Sequence, residues 1–185
     1  DCKPHLFPTQ QALFPTLSEE QNCALNRLQE GLNLRNVALL HGVTSSGKTE
    51  IYTHLIAQTL LRGEDVVMLV PEISLTTQLV QRMQQRVIEY HSKLTASRRT
   101  QIYMDMLRSD AGNFIVGARS ALFLPYKHLG LVVVDEEHDS SYKQTEPNPR
   151  YNGRDAAIML ASIHGAKSIL GSATPSLESF NHAMA

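Results

Sequence analysis

The chain has 185 residues, enough for one large domain or two small ones, and its 42% hydrophobic and 19% charged residues are typical of a globular protein. Its apolar runs reach only about six residues, far below the roughly 20 of a transmembrane helix, so we expect a cytoplasmic protein with no membrane partner. The net charge of −1 argues against a uniformly basic nucleic-acid binder, and two cysteines are too few for a disulfide framework or a cysteine-rich zinc site.

Hydrophobic patterning predicts strands alternating with helices, after a proline-containing linker or N-terminal arm at residues 1–17. The predicted strands cover residues 36–41, 65–70, 87–90, 113–116, 131–135 and 167–170. The predicted helices begin at Ser18 and Ser74 and cover residues 48–61, 96–107 and 155–163. Because the strands are apolar throughout rather than alternating, both of their faces are covered. This indicates an α/β fold, a mostly parallel sheet with helices on both faces.

The segment between the first predicted strand and the helix over 48–61 fits the pattern G-x-x-x-x-G-K-[ST] of a phosphate-binding loop. It reads Gly42, Val43, Thr44, Ser45, Ser46, Gly47, Lys48 and Thr49, and we include the following Glu50 in the predicted nucleotide site. The two glycines let the chain turn and approach a polyphosphate, which the backbone N–H groups and the helix N-terminus would bind. The Lys48 ammonium would reach the β- and γ-phosphates and the Thr49 hydroxyl would ligate Mg²⁺. The pattern therefore predicts ATP and Mg²⁺ as ligands.

Acidic residues follow the predicted strand 131–135, at the carboxyl end where open α/β sheets bind ligands. Asp135 would hold Mg²⁺ through a water, and Glu136 would polarise the attacking water. Glu137 cannot share the role of Glu136, because successive strand side chains point to opposite faces. His138 could sense the γ-phosphate or couple it to another site. Taken alone the segment could be a solvated acidic turn, but the phosphate loop upstream favours catalysis.

Asp135, Glu136 and His138 resemble the D-E-x-H box of superfamily 2 helicases. The segment Gly171-Ser172-Ala173-Thr174 resembles their S-A-T motif. More narrowly, five strings are similar to the PriA family of bacterial replication-restart DNA helicases (primosomal protein N′): residues 42–44 leading into 47–52, 70–76, 116–123, 135–144 and 170–176. Ser45 departs from the glycine expected in this family, at a position that the general loop pattern leaves free. The resemblance implies a RecA-like P-loop lobe at residues 18–185.

The resemblance also implies what the whole protein does. This lobe would be the first of two in an ATP-dependent helicase that moves 3′-to-5′ along single-stranded DNA and restarts stalled forks. Forked DNA, primosome proteins and single-strand-binding proteins would be its partners. An arginine finger and zinc-binding cysteines would lie in the second lobe, so we expect no zinc here and little or no activity of this lobe alone. A lobe of another superfamily 2 translocase, and a nucleotide- or DNA-binding module without turnover, remain alternatives.

Three segments are predicted to contact DNA. By the resemblance, Ser74 and Thr76 line the strand-binding edge, although Ser74 also suits a plain helix cap. Arg119 looks like a second phosphate clamp, because guanidinium groups suit phosphates. The segment from 142 to 154 interleaves aromatic with basic residues, which stack on bases and hold phosphates; the candidates are Tyr142, Lys143, Arg150 and Tyr151. The alternative is a tyrosine packed on the domain, with Arg154 paired to Asp155.

Two residues near the phosphate loop have open roles. Gln21 lies about 20 residues before Gly42, where helicases of this superfamily often carry a glutamine that contacts adenine. However, the residues from Ser18 to Gln21 also form a capping box, in which Gln21 bonds back to the Ser18 backbone. His41 stands directly before the loop, and the sequence assigns it no role.

Overall fold

The computed structural model describes residues 16–43, 46–71, 87–110 and 112–184. The helices within these ranges are α1 (Glu19–Leu34), α2 (Lys48–Leu61), α3 (Ala96–Arg108), α4 (Gly153–His164) and α5 (Leu177–Met184). The strands are β1 (Val37–His41), β2 (Asp65–Leu69), β3 (Val87–Tyr90), β4 (Phe114–Gly117), β5 (Leu129–Val134), β6 (Lys143–Gln144), β7 (Tyr151–Asn152) and β8 (Lys167–Ser172). None of these helices is long and apolar enough to cross a membrane. The helix predicted from Ser74, and the candidates Thr44, Ser45 and Thr76, lie outside the described residues.

Six of the described strands form one parallel sheet in the order β1-β8-β5-β2-β4-β3, while β6 and β7 pair separately and antiparallel. Because the six strands are parallel, their carboxyl ends meet at one edge of the sheet. His41 at the end of β1 is level with Ser172 of β8, and Val134 of β5 is level with Leu170 of β8. The phosphate loop, the D-E-x-H box and the S-A-T motif therefore follow three neighbouring strands.

Two hydrophobic cores cover the two faces of this sheet. Val66 and Met68 of β2 pack in the core that α1 and α2 share, while Val67 and Leu69 pack in the core covered by α3 and α4. From Leu131 to Val134, successive residues of β5 alternate between the two cores in the same way. The predicted α/β fold, with a mostly parallel sheet and helices on both faces, is confirmed.

Side-chain caps set several helix boundaries. The Ser18 hydroxyl accepts a hydrogen bond from the Gln21 N–H (3.2 Å), and Gln21 Oε1 accepts one from the Ser18 N–H (2.8 Å), so the predicted capping box begins α1. α4 begins two residues before its predicted start because the Asn152 side chain accepts a hydrogen bond from the Arg154 N–H at 2.9 Å. It ends at Gly165, which has the left-handed backbone (φ 66°) that glycine adopts without strain. Helix α5 and the β6–β7 pair were not predicted.

Candidate functional site

The lysine of the phosphate loop bonds to the first residue of the loop. Lys48 is the first residue of α2, its side chain is largely buried, and its Nζ donates a hydrogen bond to the Gly42 carbonyl at 2.9 Å. Gly47 has a left-handed backbone (φ 84°), and a Cβ there would collide with the Gln21 side-chain amide. A Cβ on Gly42 would lie 2.8 Å from Ser46 Oγ. Gly42 and Gly47 thus allow close approaches that a side chain would block, next to the N-terminus of α2, where anions bind.

Gln21 is held beside this loop by its own cap. Its side-chain oxygen caps α1, and its amide group lies against Gly47. The two interpretations of Gln21 are therefore compatible in position, because the cap keeps the side chain next to the phosphate loop. Contact with adenine stays a prediction.

Glu136 comes together with two other predicted catalytic residues. Two residues after the end of β5, the backbone of Glu136 is left-handed (φ 46°), an uncommon conformation for a residue with a Cβ. Its carboxylate lies 3.6 Å from Lys48 Nζ and 3.7 Å from His138 Nδ1. The cation that would hold the phosphates and the acid that would polarise the water are thus neighbours, although they are far apart in the sequence.

Asp135 is held by two tyrosine hydroxyls. Tyr52 donates a hydrogen bond to Asp135 Oδ1 at 3.1 Å, and Tyr142 donates one to the Asp135 backbone carbonyl at 2.6 Å. Burial raises the pKa of Asp135, as does the charge of Glu136, whereas the bond from Tyr52 lowers it. Burial also raises the pKa of both tyrosines far above the ordinary value, so both stay neutral donors.

The Asp135 carboxylate is chemically suited to a magnesium ion. A partly desolvated carboxylate gains from a cation beside it, and oxygen ligands are those that Mg²⁺ prefers. The contact of Tyr52 with Asp135 was not predicted, although the position of Tyr52 in α2 indicates it. This tyrosine lies three residues after Thr49, on the face of α2 that turns into the core.

His138 connects the D-E-x-H box to the S-A-T motif. Its Nδ1 lies 2.7 Å from Ser172 Oγ, and its Nε2 lies 3.3 Å from Thr174 Oγ1. His41 contacts the same motif from β1, with Nε2 3.2 Å from the Ala173 carbonyl and its ring edge-on to Phe180. The role left open for His41 is therefore a contact with the S-A-T segment and α5.

Glu137 points away from this group into a buried network, which we call the Glu137–Arg154 network: Glu137, Arg154, Ser176 and Ser179. The Glu137 carboxylate is 0% exposed and accepts hydrogen bonds from the Ser176 N–H (2.7 Å), Ser179 Oγ (2.9 Å) and Arg154 Nη1 (3.1 Å). Arg154 also pairs with Asp155 (2.8 Å), the pairing that the sequence offered as an alternative. The network itself was missed, because its members lie up to 42 positions apart.

The structure corrects one predicted DNA contact. The Tyr142 side chain is 1% exposed, because it packs in the core that α4 covers. A ring buried in this way has no face open to a base, so the predicted stacking of Tyr142 is wrong. The packed tyrosine that the sequence left as an alternative is what the structure places here.

The other candidates of this segment lie at the surface. We call this region the basic-aromatic surface: Arg119, Phe123, Lys143, Arg150 and Tyr151. Tyr151 packs edge-on against Phe123, with ring centroids 5.7 Å apart, and Phe123 is 66% exposed. The Arg119 stem lies against Gly153, where a Cβ would be 2.9 Å from Arg119 Cγ. Burial raises the pKa of Tyr151, and the nearby Arg119 charge partly offsets this. Exposed rings beside cations suit single-stranded nucleic acid.

Comparison with known proteins identifies the relatives of this chain. The DEAD/DEAH box helicase family matches residues 7–182. The chain is 48%, 46% and 44% identical to replication restart protein PriA of Helicobacter pylori (strain ATCC 700392 / 26695), Rickettsia felis and Bacillus subtilis, respectively. The alignments cover 92%, 90% and 90% of this chain but 27%, 26% and 21% of those proteins. The resemblance to PriA is thus confirmed, and the chain spans about a quarter of the length of these curated relatives.

Solved structures support the fold. The chain is similar to the DNA-bound ATP-dependent type ISP restriction-modification enzyme LlaBIII, with a TM-score of 0.58, 16% identity, and coverage of 88% of this chain and 13% of that one. It is also similar to the Sulfolobus solfataricus SWI2/SNF2 ATPase core in complex with double-stranded DNA, with a TM-score of 0.58, 14% identity, and coverage of 89% and 33%. At such low identity these neighbours show the fold alone, which is α/β and RecA-like.

Proposed function

The chain belongs to the DEAD/DEAH box helicase family, and we propose that residues 18–185 are the ATP-binding motor lobe of a PriA-type DNA helicase, with residues 1–17 as an arm before it. In the whole protein, this lobe couples ATP hydrolysis to 3′-to-5′ translocation on single-stranded DNA during primosome assembly and the restart of stalled forks. The observation that carries the proposal is the meeting of Lys48 and Glu136, whose charged atoms are 3.6 Å apart. Identities of 44–48% to PriA proteins support the replication-restart assignment.

In this proposal, each residue at the sheet edge has a separate role in ATP hydrolysis. Lys48 binds the β- and γ-phosphates, while the loop N–H groups before α2 surround the phosphate chain. Glu136 accepts a hydrogen bond from the attacking water and orients it toward the γ-phosphorus. His138 transmits the state of this site to Ser172 and Thr174, which it already contacts.

Mg²⁺, when bound, neutralises the negative charge on the phosphates. The residues that would hold it are Thr49 through its hydroxyl and Asp135 through a water. Tyr52 orients the Asp135 carboxylate by donating to one of its oxygens. Gln21 reads the adenine from its position beside Gly47.

We place single-stranded DNA on the neighbouring part of the same edge. Ser74 and Thr76 follow β2, and Arg119 follows β4, the next strand of the sheet. The basic-aromatic surface extends from Arg119 and offers the exposed Phe123 ring, the half-buried Tyr151 ring and cations to bases and phosphates. Forked DNA, primosome proteins and single-strand-binding proteins are the partners of the whole protein in this proposal.

The proposal is tested by two variants of the full-length protein that separate binding from turnover. Lys48→Ala should lose most nucleotide affinity, because it removes the cation on the phosphates. Glu136→Gln should keep ADP and ATP affinity within about twofold and lower kcat by about 10²–10⁴, the usual contribution of a general base. The measurements are titration calorimetry and steady-state ATPase assays with single-stranded DNA.

Lys127→Ala is the matched control, because it removes a lysine whose ion pair with Asp110 is exposed and remote from the loop. It should leave both assays unchanged. Retained turnover in Glu136→Gln would move the water-activating role to another residue. Nucleotide binding without turnover in the unmodified protein would instead favour the non-catalytic binding module.

A further inference from the structure

The Glu137–Arg154 network joins three parts of the chain that the proposed reaction uses separately. Glu137 lies between the water-orienting Glu136 and His138. Ser176 follows the S-A-T motif by two residues, and Arg154 is the second residue of α4, directly after the basic-aromatic strand β7. None of these contacts involves the phosphate loop, and none of the roles above uses them.

Glu137 holds the S-A-T segment at both ends. Its backbone N–H donates to the Gly171 carbonyl at 3.0 Å, before Ser172. Its carboxylate accepts from the Ser176 N–H at 2.7 Å, after Thr174. The segment between these two bonds carries both hydroxyls that contact His138, so its position decides where the His138 ring lies.

Arg154 neutralises the buried Glu137 carboxylate and connects it to α4. A fully buried carboxylate is strongly disfavoured unless it is paired and hydrogen-bonded. Arg154 supplies that charge through Nη1, which also donates to Ser176 Oγ at 2.9 Å. Its own N–H bonds to Asn152 of β7, so a displacement of β7 is transmitted through one residue to the S-A-T segment.

We propose that Glu137 and Arg154 are positioning residues for ATP hydrolysis: they fix the S-A-T segment and, through His138, the carboxylate of Glu136. This inference rests on the proposed function of the site. Neither residue contacts Lys48 or belongs to the phosphate loop, so we expect the pair to act on kcat and on its stimulation by DNA rather than on nucleotide affinity.

Glu137→Gln, Arg154→Lys and Arg154→Ala in the full-length protein test the pair. Misplacing a reacting group by about 1 Å can cost 10²-fold in rate, so we expect DNA-stimulated kcat to fall about 10- to 100-fold in Glu137→Gln and Arg154→Ala. The KM for ATP and the affinity for ADP should change by less than about twofold. Arg154→Lys keeps the charge and should recover part of the rate. Rates are divided by the nucleotide-binding fraction of each preparation, which removes the effect of unfolded protein.

Asp155→Asn is the matched control, because Asp155 pairs with the same guanidinium at 2.8 Å, closer than the 3.1 Å of Glu137, but at an exposed position. It should retain the parent kcat. Wild-type kcat in the folded fraction of Arg154→Ala, or an equal loss in Asp155→Asn, would overturn the proposal. If Glu137→Gln and Arg154→Ala do not fold, Arg154→Lys decides, since an unchanged kcat there contradicts positioning. Absence of ATPase activity in the unmodified protein would overturn the proposed function itself, and this inference with it.

Discussion

At the scale of single residues, Glu136 has a strained backbone conformation. A left-handed backbone at a non-glycine residue costs about 1–3 kcal/mol and persists only where the surroundings hold it. Here the Glu136 carbonyl accepts a hydrogen bond from the Asp139 N–H at 2.8 Å, and the carboxylate lies near Lys48 and His138. This conformation turns the chain after β5. As a result the Glu136 carboxylate lies near Lys48 and His138, whereas the Glu137 carboxylate lies in the Glu137–Arg154 network.

Tyr52 should tune the metal site without contacting the nucleotide. Its hydroxyl is the side-chain donor to Asp135, and hydrogen bonds to charged groups contribute about 1.5–3 kcal/mol. We expect Tyr52→Phe in the full-length protein to raise the Mg²⁺ concentration for half-maximal ATPase activity several-fold, with little change in the KM for ATP. A Mg²⁺ titration of the ATPase rate at saturating ATP measures this.

Tyr126→Phe is the control for that variant. Tyr126 is also buried, but it donates to the Ala121 carbonyl at 2.8 Å, and the acidic residue near it is Asp65 rather than Asp135. It should lose a similar hydrogen bond, worth about 1 kcal/mol of stability, and keep the Mg²⁺ dependence of the parent. An unchanged Mg²⁺ dependence in Tyr52→Phe would show that Asp135 needs no support from α2.

At the scale of elements, the order of strands and helices followed from patterning alone. Each strand of the main sheet was predicted within two residues at either end, because a strand buried on both faces is a continuous apolar run. Helix α2 was predicted at its observed bounds, since the loop before it and Gly63 after it are strong boundary signals. The positions of Lys48 and Asp135 at one edge follow from the parallel sheet, without any knowledge of contacts.

The elements that were missed depend on contacts between distant residues. Helix α5 has only eight residues and exposes Leu177 and Met184, so its pattern shows no clear buried face. Its start is held by the Ser179 contacts to Glu137, 42 positions away. The burial of Tyr142 has the same origin, because the sequence places it in a polar segment while its neighbours in the core come from β5 and α4.

Tyr142 and Tyr151 should respond in opposite ways to truncation. Tyr142→Ala removes a fully buried ring, so we expect a loss of about 3–5 kcal/mol in the free energy of unfolding, with basal and DNA-stimulated hydrolysis falling together. Tyr151→Ala removes a half-buried ring at the basic-aromatic surface. It should melt close to the parent and lower DNA stimulation, because base stacking contributes about 1–3 kcal/mol per base.

Melting curves and ATPase rates against single-stranded DNA concentration separate the two tyrosines. The conservative Tyr142→Phe keeps the ring and loses only the bond to the Asp135 carbonyl, so its melting temperature should lie between those of the parent and Tyr142→Ala. Normal folding of Tyr142→Ala with selectively reduced DNA stimulation would contradict the buried role. Unchanged DNA stimulation in Tyr151→Ala would remove this ring from the proposed DNA path.

At the scale of the whole molecule, the strand order places the proposed nucleotide site and the proposed DNA site side by side along one edge of the sheet. The strands β1, β8 and β5 lie side by side and end in the phosphate loop, the S-A-T motif and the acidic residues. β2 and β4 continue the sheet and lead into the segments proposed to hold DNA. Since β5 pairs directly with β2, the proposed nucleotide site and the proposed DNA site follow adjacent strands, so a shift at the end of one strand can act on the other.

The chain by itself should bind nucleotide but hydrolyse it poorly. The phosphate loop lies between one strand and the helix that follows it, β1 and α2, whereas the chain spans about a quarter of its relatives' length. By family resemblance the arginine finger belongs to a second lobe, and such a residue contributes about 10³–10⁵ in rate. We expect ADP binding by the 185-residue chain, abolished by Lys48→Ala, with ATP turnover about 10³-fold or more below that of the full-length protein. Calorimetry and a phosphate-release assay, each with and without single-stranded DNA, measure the two properties. Turnover by the isolated chain at the full-length rate, stimulated by DNA, would contradict a site completed by a second lobe.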